Sequence, residues 1–139
     1  MEHRIAFKVY YEDTDSLGVV YYANYFKYLE RGRSEFIATT GREVAEWNDA
    51  GYLFVVHSLE AQFRRSLKLG ETFDVVTTLE LPSPYRCRFQ QRVERDGEVC
   101  VKAQVDCACL DAAGNLIEVP DRFREMAVEP ATSPRLRRP

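Results

Sequence analysis

The sequence predicts an α+β domain: a curved antiparallel sheet around one long central helix. Three observations predict it. One early stretch carries helical spacing, four later stretches alternate with period two, and tight turn signals separate those stretches.

The first element spans residues 4–12, where Ile5, Phe7, Val9 and Tyr11 share one face and Arg4, Lys8 and Glu12 the other. That alternation predicts a strand with one buried side. A turn over Asp13–Gly18 follows, then helical spacing over Ala23–Thr40. Tyr25, Leu29, Gly32 and Phe36 recur every three to four residues, with Tyr28 beside them. Lys27, Glu30, Arg31, Arg33 and Glu35 fill the polar positions, and Gly41 is the natural stop. Residues 42–50 predict a short second helix ending at Gly51.

The strands come next. Leu53–Arg65 places Leu53, Val55, Leu59, Ala61 and Phe63 together, and Thr72–Leu81 places Phe73, Val75, Thr77, Leu79 and Leu81 together. Tyr85–Arg95 and Glu98–Asp111 flank Asp96-Gly97, a strong hairpin signal. The second arm sends Val99, Val101, Ala103, Val105, Cys107 and Cys109 inward. Residues 1–129 therefore read as a single domain. The segment 130–139, rich in proline and arginine, reads as a disordered basic tail. A single sheet layer leaves one face or edge underprotected, which predicts a dimer.

Composition narrows the function. At 139 residues the chain can bury about two-thirds of its unfolded surface in one core. A net charge of -3 argues against a nucleic-acid partner. No segment approaches the run of about 18–20 apolar residues needed to span a bilayer, and the N-terminus has no apolar signal core. The expected compartment is the cytoplasm, where Cys87, Cys100, Cys107 and Cys109 serve as reduced packing residues rather than a disulfide set or zinc site. No G-x-S-x-G elbow or phosphate-cradling glycine loop is present, so serine-hydrolase and nucleotide-dependent chemistries are disfavoured. Asp13–Gly18 lacks the full oxygen set of a calcium loop, and no metal is expected.

The chemistry concentrates in residues 11–25. An acidic pair precedes Gly18, and an aromatic helix start follows. A carboxylate beside the unpaired N–H groups of a helix N-terminus suits acyl transfer: the anion attacks or activates water, and the donors hold the carbonyl oxygen. Asp15 also fits an ordinary capping or Asx-turn role, and Asp13 reads as a turn residue.

The run Tyr10–Tyr25 contains the pattern D-x-x-G-[IV]-V-[FY]-[HY]-x-x-[YF] and leads into Tyr28-Leu29-Glu30-Arg31-Gly32-Arg33. It closely resembles the hotdog-fold thioesterases. The nearest branch is similar to the 4-hydroxybenzoyl-CoA thioesterases, including the acyl-CoA thioesterases associated with the Tol-Pal system. The resemblance implies a hotdog fold, no cofactor (coenzyme A being part of the substrate), and assembly as a homodimer or a homotetramer built as a dimer of dimers. It implies that Asp15 is the catalytic carboxylate, that the Tyr22 backbone N–H polarises the thioester carbonyl, and that Gly18 lets the loop approach substrate. Many relatives carry histidine where this chain has Tyr22; a backbone role survives that change and a histidine-assisted one does not.

The expected substrate-binding set adds Tyr21, Tyr25 and Glu30 along the acyl pocket, with Arg86 and Arg88 reaching CoA phosphates. Arg86, Arg88 and Arg92 share an outward strand face that Lys102 extends, and Arg64, Arg65 and Lys68 form a second basic cluster. A solvated face is the simpler account of any single one of these arginines. His57 reads as a core or interface histidine. Two alternatives remain open at this level: hydrolysis of acyl groups on an acyl carrier protein, and a non-catalytic hotdog that binds an acyl group or a partner.

Overall fold

The structure, a computed structural model, describes residues 1–129. The tail expected at 130–139 lies outside the described residues. Strands β1 (Glu2–Lys8), β2 (Leu53–Phe63), β3 (Thr72–Ser83), β4 (Arg86–Arg95) and β5 (Glu98–Leu110) form one antiparallel sheet. Its order is β1-β3-β4-β5-β2. The three C-terminal strands are joined by short turns and pair as sequence neighbours, while the helix between β1 and β2 sends those two strands to opposite edges. At the β4–β5 turn, Asp96 and Gly97 both adopt positive φ, 51° and 77°, the backbone that a two-residue hairpin of this twist requires.

Helix α1 (Tyr25–Ala38) crosses the inner face of the sheet, preceded by a 3-10 turn at Tyr22–Asn24. Its buried residues Tyr25, Tyr28, Leu29, Gly32, Phe36 and Ile37 repeat at three and four, so the helix presents one apolar stripe to the strands. Tyr25, Tyr28 and Leu29 pack with Phe73, Val75, Val93 and Val101. Phe36 and Ile37 pack with Phe89, Val105, Cys107 and Cys109, where α2 (Val44–Asp49) adds Trp47 and α3 (Asp121–Met126) adds Phe123 and Met126. Gly32 marks the closest approach of helix to sheet: a methyl group built there would sit 2.5 Å from Val75 Cγ1. One polar side chain pins this contact. Buried Gln91, facing inward from β4, donates through Nε2 to the Leu29 carbonyl (2.9 Å) and Thr77 Oγ1 (3.0 Å), and its Oε1 accepts from Arg33 (3.1 Å).

Three expectations need correction. The alternation expected to run through Tyr11 stops earlier, because β1 ends at Lys8 and residues 11–13 form a 3-10 turn that leaves Tyr11 exposed. The face assigned to β2 holds only in its second half. A bulge between Val56 and Ser58 flips the side-chain phase, so Phe54 and Val56 lie opposite inward-facing Cys109 and Cys107, whereas Leu59, Ala61 and Phe63 lie opposite Val105, Ala103 and Val101. His57 is the extra residue of that bulge and is exposed within one chain, so of its expected core or interface role the core half falls. Helix α3 had no counterpart in the sequence reading.

All four cysteines are free and buried. Burial raises the Cys107 and Cys109 thiols to about 11 and pushes Cys87 well above the ordinary range. The native state thus keeps protons that the unfolded chain releases from about pH 8.5 upward. Stability should decline as pH rises from about 8.5 toward 11. Native protein at pH 8 should resist a small thiol reagent on these three residues, and denaturant should expose them together; fast labelling of the native protein would contradict the packing.

Candidate active site

The residues after β1 build a small ladder. The Tyr21 N–H donates to the Asp13 carbonyl (3.1 Å), Thr14 bridges Val20, and the Asp15 N–H donates to the Val19 carbonyl (2.9 Å). The tip turns through Ser16, Leu17 and Gly18. Asp15 Oδ1 accepts the Leu17 N–H at 2.8 Å, an Asx-turn, and Gly18 closes the turn at φ +76° with its N–H on the Asp15 carbonyl. The second carboxylate oxygen carries no hydrogen bond among the described residues, and Asp15 is exposed.

The ladder docks on residues 67–70 through main-chain bonds. The Val20 N–H meets the Leu67 carbonyl (2.8 Å), the Leu69 N–H meets the Gly18 carbonyl (3.1 Å), and Val19 bridges Lys68. Tyr25 locks the same segment, its hydroxyl accepting the Leu67 N–H at 3.0 Å.

Asp13, rather than Asp15, is the buried carboxylate of the pair, at 7% exposure. Its Oδ2 accepts the Tyr10 N–H (3.1 Å) and the Tyr28 hydroxyl (2.7 Å). Burial, and then the Asp13 anion, hold the Tyr28 phenol well above its ordinary value. The Asp13 carbonyl also accepts from Asn24 Nδ2 at 2.9 Å. Asp13 thus ties the loop to α1 and fixes where its neighbour two residues on is presented. Tyr28→Phe should cost about 1 kcal/mol in a urea titration, since it removes one donor from a buried carboxylate. An unchanged midpoint would show that the bond carries no net energy.

Beyond Val20 the chain passes directly into the 3-10 turn. The Tyr22 N–H opens that turn, where no intrahelical acceptor exists, and it takes part in no hydrogen bond among the described residues. One arm of the ladder therefore carries a free carboxylate oxygen and the other leads to a free amide donor at the N-terminal end of the continuous helical stretch 22–38.

Exposed aromatic rings surround this point. Tyr21 and Tyr22 lie 4.9 Å apart by ring centroid, Tyr22 meets the Phe63 ring edge-on at 6.1 Å, and Phe26 meets Phe63 at 6.3 Å. Tyr22 is 57% exposed and Phe63 46%.

The other expected site residues fall elsewhere. Tyr25 is buried, with its hydroxyl occupied by Leu67. Glu30 is exposed on α1 and accepts from the Ser34 hydroxyl at 2.9 Å. Arg86 and Arg88 lie near the start of β4 on the face away from α1, and that strand runs about 30 Å to its far end. Residues 64–71 sit by that far end, where Arg95 reaches the Ser66 carbonyl (2.9 Å) and Glu71 (3.0 Å). Arg88 is held by Asp106 at 2.8 Å, and Arg92 is paired with Glu94 and Glu2. Two members of the expected basic stripe, Arg88 and Arg92, are thus ion-paired, and within one chain the stripe does not converge on Asp15. Arg64, Arg65 and Lys68, the second basic cluster of the sequence, belong to or flank the segment that carries the ladder, with Arg65 paired to Glu98 at 3.5 Å across exposed surface. Phe26 and Phe63 were missed as site neighbours; the adjacent Tyr21, Tyr22 and Tyr25 were the available signal.

A helix embraced by a five-stranded antiparallel sheet, with an exposed aspartate on a loop feeding the helix N-terminus, defines a hotdog thioesterase fold. The model of the thioesterase-like superfamily matches residues 9–127, and the chain belongs to that family. It is 45% identical over 85 residues to the acyl-CoA thioesterase YbgC of Helicobacter pylori, covering 60% of this chain and 62% of that protein. It is 36% identical over 107 residues to the acyl-CoA thioesterase YbgC of Haemophilus influenzae, covering 75% and 77%. Among solved structures, a probable thioesterase from Bartonella henselae superposes with a TM-score of 0.81 at 30% identity, covering 86% of this chain and all of that one. The aligned part of this chain therefore spans less than two-thirds of the Helicobacter protein's length. No described helix is long and apolar enough to cross a membrane.

Proposed function

We propose that this chain is an acyl-CoA thioesterase that hydrolyses a small acyl-CoA to the free acid and coenzyme A, with Asp15 as its catalytic carboxylate. The observation that carries the reading is the pairing of a free Asp15 oxygen with the free Tyr22 N–H on two arms of one short ladder. Attack on a thioester carbon drives charge onto the carbonyl oxygen, and a fixed N–H donor there contributes typically about 3 kcal/mol to the transition state. The Asp15 anion either bonds to that carbon directly, giving an anhydride that water then opens, or takes a proton from the attacking water. Both routes break the C–S bond and release CoA as its thiol after protonation. The Asx-turn restrains the Asp15 carboxylate through one oxygen and leaves the other free for either role.

The site in one chain is open to solvent, and the reading includes a second copy that closes it. Strand β2 is an edge of the sheet among the described residues, eleven residues long, with Val55 and Val56 each 44% exposed. A long apolar edge of this kind is suited to pairing with another strand. Pairing of two β2 edges extends the sheet across a dimer and covers the Phe63 end beside Tyr22. Further assembly into a tetramer follows the family resemblance.

For the CoA phosphates, Lys68 and Arg65 are the better-placed cations within one chain; Arg86 and Arg88 enter only from another subunit. Within the superfamily we favour the branch of the 4-hydroxybenzoyl-CoA and Tol-Pal-associated enzymes. The rings of Tyr21, Tyr22, Phe26 and Phe63 suit a short or aromatic acyl group. The test is a panel of short aliphatic, long aliphatic and aromatic acyl-CoA esters, with free thiol as the readout. Hydrolysis of the short aliphatic or the aromatic class supports the reading, and turnover of the long aliphatic class alone rejects its small-acyl part. Turnover only of acyl groups on a carrier protein, or of no thioester, rejects it.

A further inference from the structure

Helix α1 half-buries a cation without giving it an anion. Arg33 lies on the flank of the helix turned toward β5 and β2, and its guanidinium donates to Gln91 Oε1 at 3.1 Å, a neutral acceptor. Among the described residues no carboxylate forms an ion pair with it. Burial pulls the Arg33 guanidinium below its ordinary value, as befits a cation short of both water and counter-charge. Covering a guanidinium this way is costly, and an anion brought to it would offset the cost.

The nearest acid on the helix does not fill that place. Glu30 stands one turn before Arg33, at a spacing that ordinarily brings side chains together. Its carboxylate is nevertheless exposed and takes the Ser34 hydroxyl at 2.9 Å. One helix flank therefore presents an exposed anion and a half-buried cation a single turn apart. Phe26, 37% exposed, continues the same flank, and its ring meets Phe63 of β2 at 6.3 Å. The N-terminal end of this flank thus stands at the edge strand of the sheet.

We propose that the flank is the helical half of a contact with a second copy of this chain, in which Glu30 of each copy is the counter-ion of Arg33 in the other. The inference rests on the reading that two β2 edges pair. A two-fold axis through that edge keeps both α1 helices on one side of the joined sheet, turns them antiparallel and brings the same flank of each toward the other. Under this symmetry every contact is made twice, so one Glu30–Arg33 pair implies its mate. Antiparallel helices with an acid and a base one turn apart are self-complementary, whereas a parallel pair would set like charges side by side.

The experiment compares the wild type with Glu30→Arg, Arg33→Glu and the doubly exchanged chain by sedimentation over a dilution series. Each single variant should weaken self-association by at least about tenfold, because it places two like-charge contacts in the interface. Exchanging both charges should recover most of that loss. An equimolar mixture of the two single variants should associate about as tightly as the wild type, since an all-acidic flank then meets an all-basic one. A role confined to one chain cannot produce that rescue. If Arg33→Glu loses its folded circular dichroism signal, the exposed Glu30 decides alone through Glu30→Gln and Glu30→Arg: association weakened in that order supports the contact. Unchanged association of Glu30→Arg, or a mixture of folded variants that fails to associate, overturns it. Val55→Lys combined with Val56→Lys, which charges the β2 edge, tests the edge reading separately. Dissociation of that variant beside an intact Glu30→Arg leaves the edge pairing standing and removes the helix contact. The reverse pattern keeps the helix contact and removes the edge, and a monomeric wild type overturns both.

Discussion

Asp15→Asn should lower thioester turnover by at least about 100-fold while leaving the urea midpoint and the circular dichroism spectrum of the wild type in place. The two halves of this expectation have separate physical origins. The amide oxygen of asparagine can still accept the Leu17 N–H, so the Asx-turn that shapes the tip survives, and the exposed position buries no new polar group. What disappears is the negative charge, and with it both the nucleophile and the base. Because binding through CoA is distant from the carboxylate, the loss should appear mainly in kcat, with KM nearly unchanged. A variant with wild-type kcat would reject Asp15 as the catalytic group. A variant that loses activity together with its folded signal would show that the residue acts structurally.

Gly32→Ala should destabilise the fold by about 2–3 kcal/mol, measured by urea or thermal unfolding. Alanine is ordinarily the better helix residue by about 1 kcal/mol, so a loss here would be opposite in sign to the local preference. The reason is contact with the sheet. The new methyl would lie 2.5 Å from Val75 Cγ1, 3.2 Å from Val75 Cβ and 3.2 Å from Gln91 Nε2. Val75 is fully buried and β-branched, so its side chain has little freedom to turn aside. The helix must lift instead, stretching the Gln91 bonds to the Leu29 carbonyl and to Arg33. A neutral or stabilising result would mean that helix and sheet separate without cost.

Much of this arrangement was legible in the sequence, for identifiable reasons. Helix α1 and strands β3 to β5 are long and mostly periodic, so a simple count of spacing located them, although a register shift opposite Val93 and Glu94 turns Val99, expected inward, off the inner face and buries Cys100 instead. Gly32 stood out as a small residue in the apolar stripe, although its 2.5 Å approach to Val75 required coordinates. The β2 phase failed because a bulge adds a residue without leaving a composition signal; His57 carries no mark of it. Helix α3 is short and gets its stability from Phe123 packing against Trp47 and Phe54, contacts distant in the chain. In the candidate site, Asp15, Gly18 and Tyr22 were named from a demanding local pattern. Asp13 was read as a turn residue; that it is a buried carboxylate holding Tyr28 was not legible, because two acids separated by one residue look alike until one of them meets its partner. The arginines of β4 misled for a related reason: a one-dimensional stripe of positive charge does not reveal its cross-strand acids, and Asp106 and Glu94 neutralise most of it.

The Asp15 ladder hangs from residues 67–70 by peptide groups alone, through Val20 to Leu67, Leu69 to Gly18 and the Val19–Lys68 bridge. Main-chain suspension of this sort separates position from chemistry. The side chain at Leu69 is exposed and can be exchanged to retune what approaches the loop, while the peptide bonds continue to hold the carboxylate in place. For an engineer seeking a new acyl preference, that position is a replaceable part beside a fixed anvil.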